Sequence, residues 1–369
     1  MKIAFYCGTE GFGGLEMNML RLAKWMSERG HDILVLATES SALEKELPKR
    51  DLNHLILPHH KKYFDFKNAS IVKKHLKEHN FEHLIAFDNA DLDMLGYAKN
   101  FMGNKLKLIY LQQMQMGSVK KGCLHTLRFS KLDAWITLLQ NLKHEIETMT
   151  RFDMKKLHII PIGVEVETLQ GNMISRDEAC SYWDIPNQLT IGILGRIDEF
   201  KRQMILVRAV HHLSQKGVDI NLLIVGEPTR NRKSDYYEQI LEYIKINKLE
   251  DRIFIRPFTT EIEKFYSSID IFAMASSGET YGMVTIESMV MGVPVIGSDG
   301  GGTPEILDHG KYGTLFKSRD QEDFEKKLTG MINDFESVKE KAVLAQEHAG
   351  KEYSHHRECE RIEKLLLSL

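Results

Sequence analysis

The chain predicts two α/β units in tandem, each built as a doubly wound parallel sheet. Three observations carry this. Its 369 residues suffice for two domains at roughly 100–200 residues each. Short apolar runs alternate with amphipathic stretches from the first residues onward, the pattern of a parallel sheet with helices on both faces. The alternation then starts afresh near residue 189, after a polar stretch at 163–186 with no clear long period.

Taken in order, residues 2–7 read as a strand and residues 8–14 as a glycine-rich turn. Leu15, Met19, Leu22, Ala23 and Met26 recur at helical spacing across 16–30. Further strands are expected at 32–37, 54–57, 83–87, 107–111, 134–137 and 158–161, with a helix at 70–79 among the segments between them. In the second half, strands are expected at 189–194, 221–225, 252–256, 269–274 and 294–297. Helices are expected at 203–215, 236–247, 262–267 and 284–291. The hinge is placed in 163–186, and the charged stretch 324–369 reads as helical. Two such units facing one another make a cleft, and in open parallel sheets ligands bind beyond the carboxyl ends of the strands.

Composition narrows the function classes. Hydrophobic residues make up 43% and charged residues 27%, an ordinary soluble balance. A net charge of −3 argues against a dedicated nucleic-acid binder. Cys7, Cys123, Cys180 and Cys359 lie far apart with no C-x-x-C pair, so reduced thiols in a cytoplasmic protein are expected, and neither a disulfide framework nor a zinc site. The apolar run at the N-terminus is too short for a signal-peptide core. No run of about 18 apolar residues appears, so any membrane contact must be peripheral. The stretch 118–135, with Lys120, Lys121, Arg128 and Lys131 among Leu124, Leu127, Phe129 and Leu132, has two readings. One is a helix resting on anionic lipid, and the other is a helix packed on its own sheet with a wet basic side. His59-His60, His211-His212 and His355-His356 are adjacent pairs, which do not share a helix face, so no metal site is expected. Asp91-Leu92-Asp93 reads as a loop or helix cap.

Two segments carry chemistry. In the first, Gly11-Phe12-Gly13-Gly14-Leu15-Glu16 joins a strand to a helix. Glycines there let a ligand approach the backbone, and free N–H groups at a helix start favour phosphate. A dinucleotide fingerprint would place a small residue where Glu16 stands, and a tight turn with no ligand is the other reading. The second segment is more specific. Ser277-Gly278-Glu279-Thr280-Tyr281-Gly282-Met283-Val284-Thr285-Ile286-Glu287 puts two carboxylates eight positions apart, about two helical turns. Glu279 is expected in a turn after a strand and Glu287 on the helix that follows, along the side of its start; between them Gly282 opens a helix start able to meet phosphate. Gly195-Arg196-Ile197-Asp198-Glu199-Phe200-Lys201 adds two cations near one strand end. Fixed cations can neutralise a departing diphosphate without a metal.

Residues 195–201 and 279–287, with Gly292-Val293-Pro294-Val295, resemble the retaining family 4 glycosyltransferases of GT-B fold. So do Gly13-Gly14-Leu15-Glu16, Gly30-His31 and Ile160-Pro161-Ile162-Gly163-Val164, and the likeness spans nearly the whole chain. The resemblance implies a nucleotide diphosphate-sugar as donor substrate, no cofactor or metal, and a glycan or glycolipid acceptor in surface polysaccharide or glycolipid synthesis. Localisation would be cytoplasmic, with any membrane contact at the inner face. It implies an acceptor-side domain over 1–168, a nucleotide-sugar domain over 169–349, and a helix at about 350–369 crossing back to the first. Arg196 and Lys201 would bind the donor diphosphate, Glu279 the transferred sugar and Glu287 the ribose. Backbone amides at Gly282, Met283 and Val284 would touch sugar or phosphate, Phe258 would lie near the base, and Gly13 and Gly14 would close over the diphosphate. Glu16, Gln112 and Gln113 fall on the acceptor side. Many members carry a histidine in the loop that here reads Gln112-Gln113-Met114-Gln115. Glutamine is no base but can hydrogen-bond a hydroxyl. A nucleotide-sugar 2-epimerase and a binding-only relative of the same fold stand as the alternatives.

Overall fold

The computed structural model describes residues 1–59, 64–228 and 235–369. It divides into unit 1, Met1–Gly163 with His355–Leu369, and unit 2, Val164–Ser354.

Unit 1 holds a seven-stranded sheet of β1 (Lys2–Tyr6), β2 (Asp32–Thr38), β3 (Asn53–Leu57), β4 (His83–Ala86), β5 (Lys107–Leu111), β6 (Ala134–Thr137) and β7 (Leu157–Ile159). The order is β3-β2-β1-β4-β5-β6-β7, and every pair is parallel. Ile3 lies opposite Ile33 on one side and His83 on the other, so the strand order reverses at β1. Central strands of a parallel sheet are covered on both faces and read as unbroken apolar runs. Accordingly Ile3, Ala4, Phe5 and Tyr6 are all fully buried. On one face Trp135 centres an aromatic cluster, with the rings of Tyr110, Phe129 and Phe152 at 5.1, 4.8 and 5.1 Å.

Unit 2 repeats the plan with β8 (Thr190–Leu194), β9 (Asn221–Val225), β10 (Ile253–Arg256), β11 (Ile271–Met274), β12 (Val295–Ser298) and β13 (Thr314–Phe316) in the order β10-β9-β8-β11-β12-β13. The reversal falls between β8 and β11, which places the crevice of this unit at the carboxyl ends of those two strands. Helices Gln203–Gln215, Tyr236–Ile246 and Gln321–Asn333 contribute to one core cluster with residues of these strands.

Two local expectations, at 163–186 and 118–135, need correction, and one strand was not expected. The polar stretch 163–186 is not a bare hinge but folds into helices Val166–Gly171 and Arg176–Trp183, the second closed by a Ser175–Glu178 capping box. Strand β13 is three residues long, below the length at which alternation can be read. The stretch 324–369 breaks into helices Gln321–Asn333, Phe335–Glu352 and His355–Ser368. Within 118–135 only Cys123–Phe129 is helical. There Phe129 faces inward, Leu124 and Leu127 are exposed, and Arg128 pairs with Asp93.

Helix His355–Ser368 belongs to unit 1. It buries Cys359, Ile362, Leu365 and Leu366, and its Glu363 binds Arg29 at 2.7 Å and His31 at 2.8 Å. Those partners hold the Glu363 carboxyl down at about 2. Glu358 of the same helix is buried and accepts a 2.7 Å hydrogen bond from the Gly163 N–H. Burial pushes its carboxyl up to about 8 from an ordinary 4.5. An acid whose folded pKa is raised keeps more protons folded than unfolded between those two values. Its contribution is therefore complete below the unfolded pKa and is lost as pH rises towards 8. Asp91, buried beside Asp88, acts in the same direction, whereas the loss from Glu363 begins only below the ordinary carboxylate range. Thermal melts between pH 7 and pH 9, above the range in which the burial-lowered His75, His83, His125, His158 and His348 act in the opposite sense, should thus show stability falling with pH. Glu358→Gln keeps an acceptor for Gly163 and should make that decline shallower, raising the melting temperature of unit 1 at pH 9 by several degrees; parallel declines in both proteins would contradict the assignment.

Candidate active site

The residues singled out in the second half gather at the carboxyl ends of β8 and β11. Strand β8 ends at Leu194, and Gly195 follows with φ +137°. The neighbouring strand β9 ends at Val225 and is followed by Gly226, where an added Cβ would stand 2.0 Å from the Gly195 carbonyl oxygen. Only glycine permits that approach. The loop after β8 is then tied down at three points. Ile197 N–H donates to the Glu227 carbonyl at 2.9 Å, Asp198 accepts from Lys201 N–H at 3.0 Å, and Ser277 N–H reaches the Phe200 carbonyl at 3.3 Å. Asp198 is buried, so its carboxylate works as a loop staple.

This loop delivers Lys201 to Glu279, Nζ to Oε2 at 2.7 Å, with both side chains mostly buried. Arg196 does not join them. Its guanidinium lies 4.0 Å from Asp198 and is 69% exposed. The two cations expected at one strand end are thus directed to different partners.

Glu279 sits in the turn after β11, and its backbone is held by the glycines after β12. Gly302 N–H donates to the Glu279 carbonyl at 2.7 Å, and a Cβ on Gly301 would stand 2.1 Å from that same oxygen. Gly282, at φ +86°, then opens helix Met283–Val290. The N–H groups of Met283 and Val284 are the first of this helix and have no intrahelical partner. Glu287 lies in the second turn and is buried, with Tyr266 Oη 3.3 Å from its Oε2 and 2.9 Å from the Val284 carbonyl oxygen. Burial, then the Glu287 charge, keeps the Tyr266 phenol well above its ordinary value. Glu279 lies in the turn expected for it, four residues before the helix, so a turn presents one acid and a helix the other. Phe258 follows β10, at the sheet edge two strands from β8, and is 62% exposed. The preceding Arg256 is bound to the carbonyls of Trp183 and Asp184.

In unit 1 the glycine loop links β1 to helix Gly14–Glu28. Gly13 is the helix cap, and Gly11 and Gly14 have open space around them. Glu16 is buried and closes the loop on itself. One carboxylate oxygen accepts from Gly13 N–H at 2.7 Å and the other from the Thr9 hydroxyl. Gln112 is fully buried, accepting from Trp135 Nε1 at 3.0 Å and donating to the Met114 carbonyl at 2.7 Å. Both Glu16 and Gln112 are thus engaged within unit 1. Gln113 is half-buried and its Oε1 accepts from Asn18 Nδ2 at 2.9 Å. Asp91 stands at the N-cap of helix Leu92–Met102 without a side-chain cap bond. It accepts from Gly8 N–H at 3.0 Å, while Asp93 pairs with Arg128. Of the histidine pairs, His60 lies outside the described residues. His211 and His212 turn to Tyr243 and Glu325. The rings of His355 and His356 lie 3.9 Å apart, closer than adjacent helical positions imply.

The sequence reading passed over Tyr266, Asp198, Gly226 and the glycines at 300–302. The last group was visible as an Asp-Gly-Gly-Gly run following a strand. Tyr266 leaves no local signal, because its role depends on a helix packed from elsewhere.

The family model of glycosyl transferases group 1 matches residues 188–334, which contain Arg196, Lys201, Glu279 and Glu287. A D-inositol 3-phosphate glycosyltransferase of Corynebacterium glutamicum is 27% identical over 216 residues, 57% of this chain and 50% of that protein. A probable sucrose-phosphate synthase of Thermosipho melanesiensis is 27% identical over 208 residues, 54% of this chain and 46% of that protein. The chain thus spans about half the length of the relatives it matches. Among solved structures, Anabaena Alr3699/HepE in complex with UDP superposes with a TM-score of 0.86 at 19% identity, covering all of both chains. A glycosyltransferase from Rickettsia africae gives 0.89 at 20%, covering 100% of this chain and 98% of that one. These likenesses are to the fold, a GT-B fold of two Rossmann-like units each with its own parallel sheet. Over residues 188–334 the chain is similar to the glycosyl transferases group 1 family.

Proposed function

We propose that this chain transfers a sugar from a nucleoside diphosphate-sugar to a hydroxyl of a glycan or lipid-linked acceptor, with retention of anomeric configuration. The observation that carries the reading is the Lys201–Glu279 pair, set at the β8/β11 reversal beside the open helix start at Met283 and Val284. A cation, a carboxylate and unpartnered N–H groups are what a sugar diphosphate needs. The N–H groups and Lys201 meet phosphate oxygens, and Glu279 accepts from sugar hydroxyls. Arg196, exposed at 69%, is free to turn towards the same diphosphate. Glu287, held by Tyr266, takes the ribose hydroxyls. UDP is the nucleotide to test first, since Anabaena HepE was solved with it.

In the reaction the bond between the anomeric carbon and the diphosphate oxygen breaks, and the electron pair leaves with the diphosphate. The acceptor oxygen bonds the anomeric carbon on the same face, and its proton passes to the departing phosphate oxygen. No side-chain base is required, which suits a loop offering Gln113. The developing negative charge makes a fixed cation worth more in the transition state than in the ground state. The epimerase alternative would place acid–base side chains at the sugar, and the family match does not favour it. Exposed Leu124 and Leu127 beside Lys121 support a peripheral contact of unit 1 with a membrane surface.

Lys201→Ala should lower kcat by roughly a hundredfold, as loss of about 3 kcal/mol of transition-state stabilisation, with a smaller change in donor affinity. Normal kcat with a raised KM would remove the leaving-group role. Proton NMR of fresh product should show a retained anomeric centre, and inversion would reject the mechanism. Glu287→Ala should weaken UDP binding in calorimetry by about tenfold or more, the worth of a hydrogen bond to a charged group, while Tyr266→Phe should show a smaller loss. Unchanged UDP affinity in Glu287→Ala would end the ribose assignment.

A further inference from the structure

Unit 2 carries a second feature at the carboxyl edge of its sheet, apart from the Lys201–Glu279 pair. A cavity of about 380 Å³ opens among the starts of three helices. Met204 and Ile205 come from the first turn of helix Gln203–Gln215. Tyr236 is the first residue of helix Tyr236–Ile246, and Gln321 the first of helix Gln321–Asn333. Each helix start contributes positive partial charge. Three arginines, Arg202, Arg208 and Arg319, line the same space, opposed on the lining by one exposed carboxylate, Glu199.

Two details bear on these arginines, of which Arg202 is half-buried and Arg208 and Arg319 are exposed. Among the described residues, no ion pair or side-chain hydrogen bond engages any of the three guanidinium groups. In addition, Arg202 and Arg319 both sit in the left-handed region, at φ +58° and +69°. That conformation is unfavourable for a residue with a Cβ and easy for glycine. Strain of this kind persists where the surroundings impose it, and it concentrates at ligand sites. Three guanidinium groups lining one space favour an anion within it. The guanidinium fork matches a phosphate in two-point contact, and the volume is that of a small-molecule site.

The geometry points to a second anion site in unit 2, for a small phosphorylated ligand, a phosphate monoester or a polyphosphate, distinct from the donor diphosphate position. Neither Arg196 nor Lys201 lines the cavity, and Lys201 is directed to Glu279 instead. The site stands whether or not the sugar-transfer reading does.

The test is calorimetric titration of the full chain with inorganic pyrophosphate, done in an Arg196→Ala/Lys201→Ala background so that the proposed donor cations do not contribute. Saturable binding is expected there. Arg208→Gln and Arg319→Gly, each added to that background, should weaken it roughly tenfold or more. The melting temperature of Arg319→Gly should be no lower than that of its parent, because glycine suits the left-handed position; a purely structural arginine would not separate affinity from stability in this way. Absence of saturable binding in the background, or an affinity untouched by both added substitutions, overturns the proposal. A second arm sediments the chain with vesicles containing phosphatidic acid. Retention lost in Arg208→Gln/Arg319→Gly assigns the site to a lipid-borne phosphate, and pyrophosphate binding without retention assigns it to a soluble one.

Discussion

The second unit is organised by places where backbone meets backbone with no room for a side chain. The Gly195 carbonyl presses against Gly226, and the Glu279 carbonyl and amide press against Gly301. These contacts bring the loop after β8 and the turn after β11 close enough for Lys201 to reach Glu279. A β-carbon at either glycine would push one loop away by more than an ångström, and the pair would separate. The site's electrostatics thus rest on packing of the main chain, and the charged residues follow from it.

That order of dependence explains why each ionic group has its own support. Asp198 staples the loop that carries Lys201, the glycines after β12 hold Glu279, and Tyr266 holds Glu287. A partly buried ion pair such as Lys201–Glu279 adds little to stability once desolvation is counted. Its value lies in a lysine with few alternative positions. Unit 1 uses the same device with neutral partners. Gly8 is anchored by Asp91, and Gly13 by Glu16, so the glycine loop is shaped by buried carboxylates that accept backbone N–H groups.

Much of the fold was legible because parallel strands buried on both faces write continuous apolar runs, and twelve such runs stand in the sequence at the positions of β1 to β12. What escaped was short or non-local. Strand β13 has three residues, and helices Val166–Gly171 and Arg176–Trp183 are too brief to show a period. At the site, Lys201, Glu279 and Glu287 were readable from glycine-flanked motifs after strands. The internal partners of Glu16 and Gln112 were not readable, because a sequence shows that a polar side chain exists but not that Thr9, Gly13 or Trp135 already occupies it. Tyr266 and the arginines around the helix starts belong to the same class. Their meaning appears only when segments distant in the chain are brought together.

The return of helix His355–Ser368 to unit 1 bears on the order in which the molecule can assemble during synthesis. Unit 2 is one continuous segment and can close as soon as it has emerged from the ribosome. Unit 1 cannot. Cys359, Ile362, Leu365 and Leu366 arrive last, and with them the partner of Arg29 and His31. At about 5–20 residues per second, the first sheet waits roughly 10–40 s after Gly163 before that helix is made. Throughout that interval the nascent first unit exposes the apolar surface the helix will cover, which makes it the part of the newborn chain most in need of a chaperone.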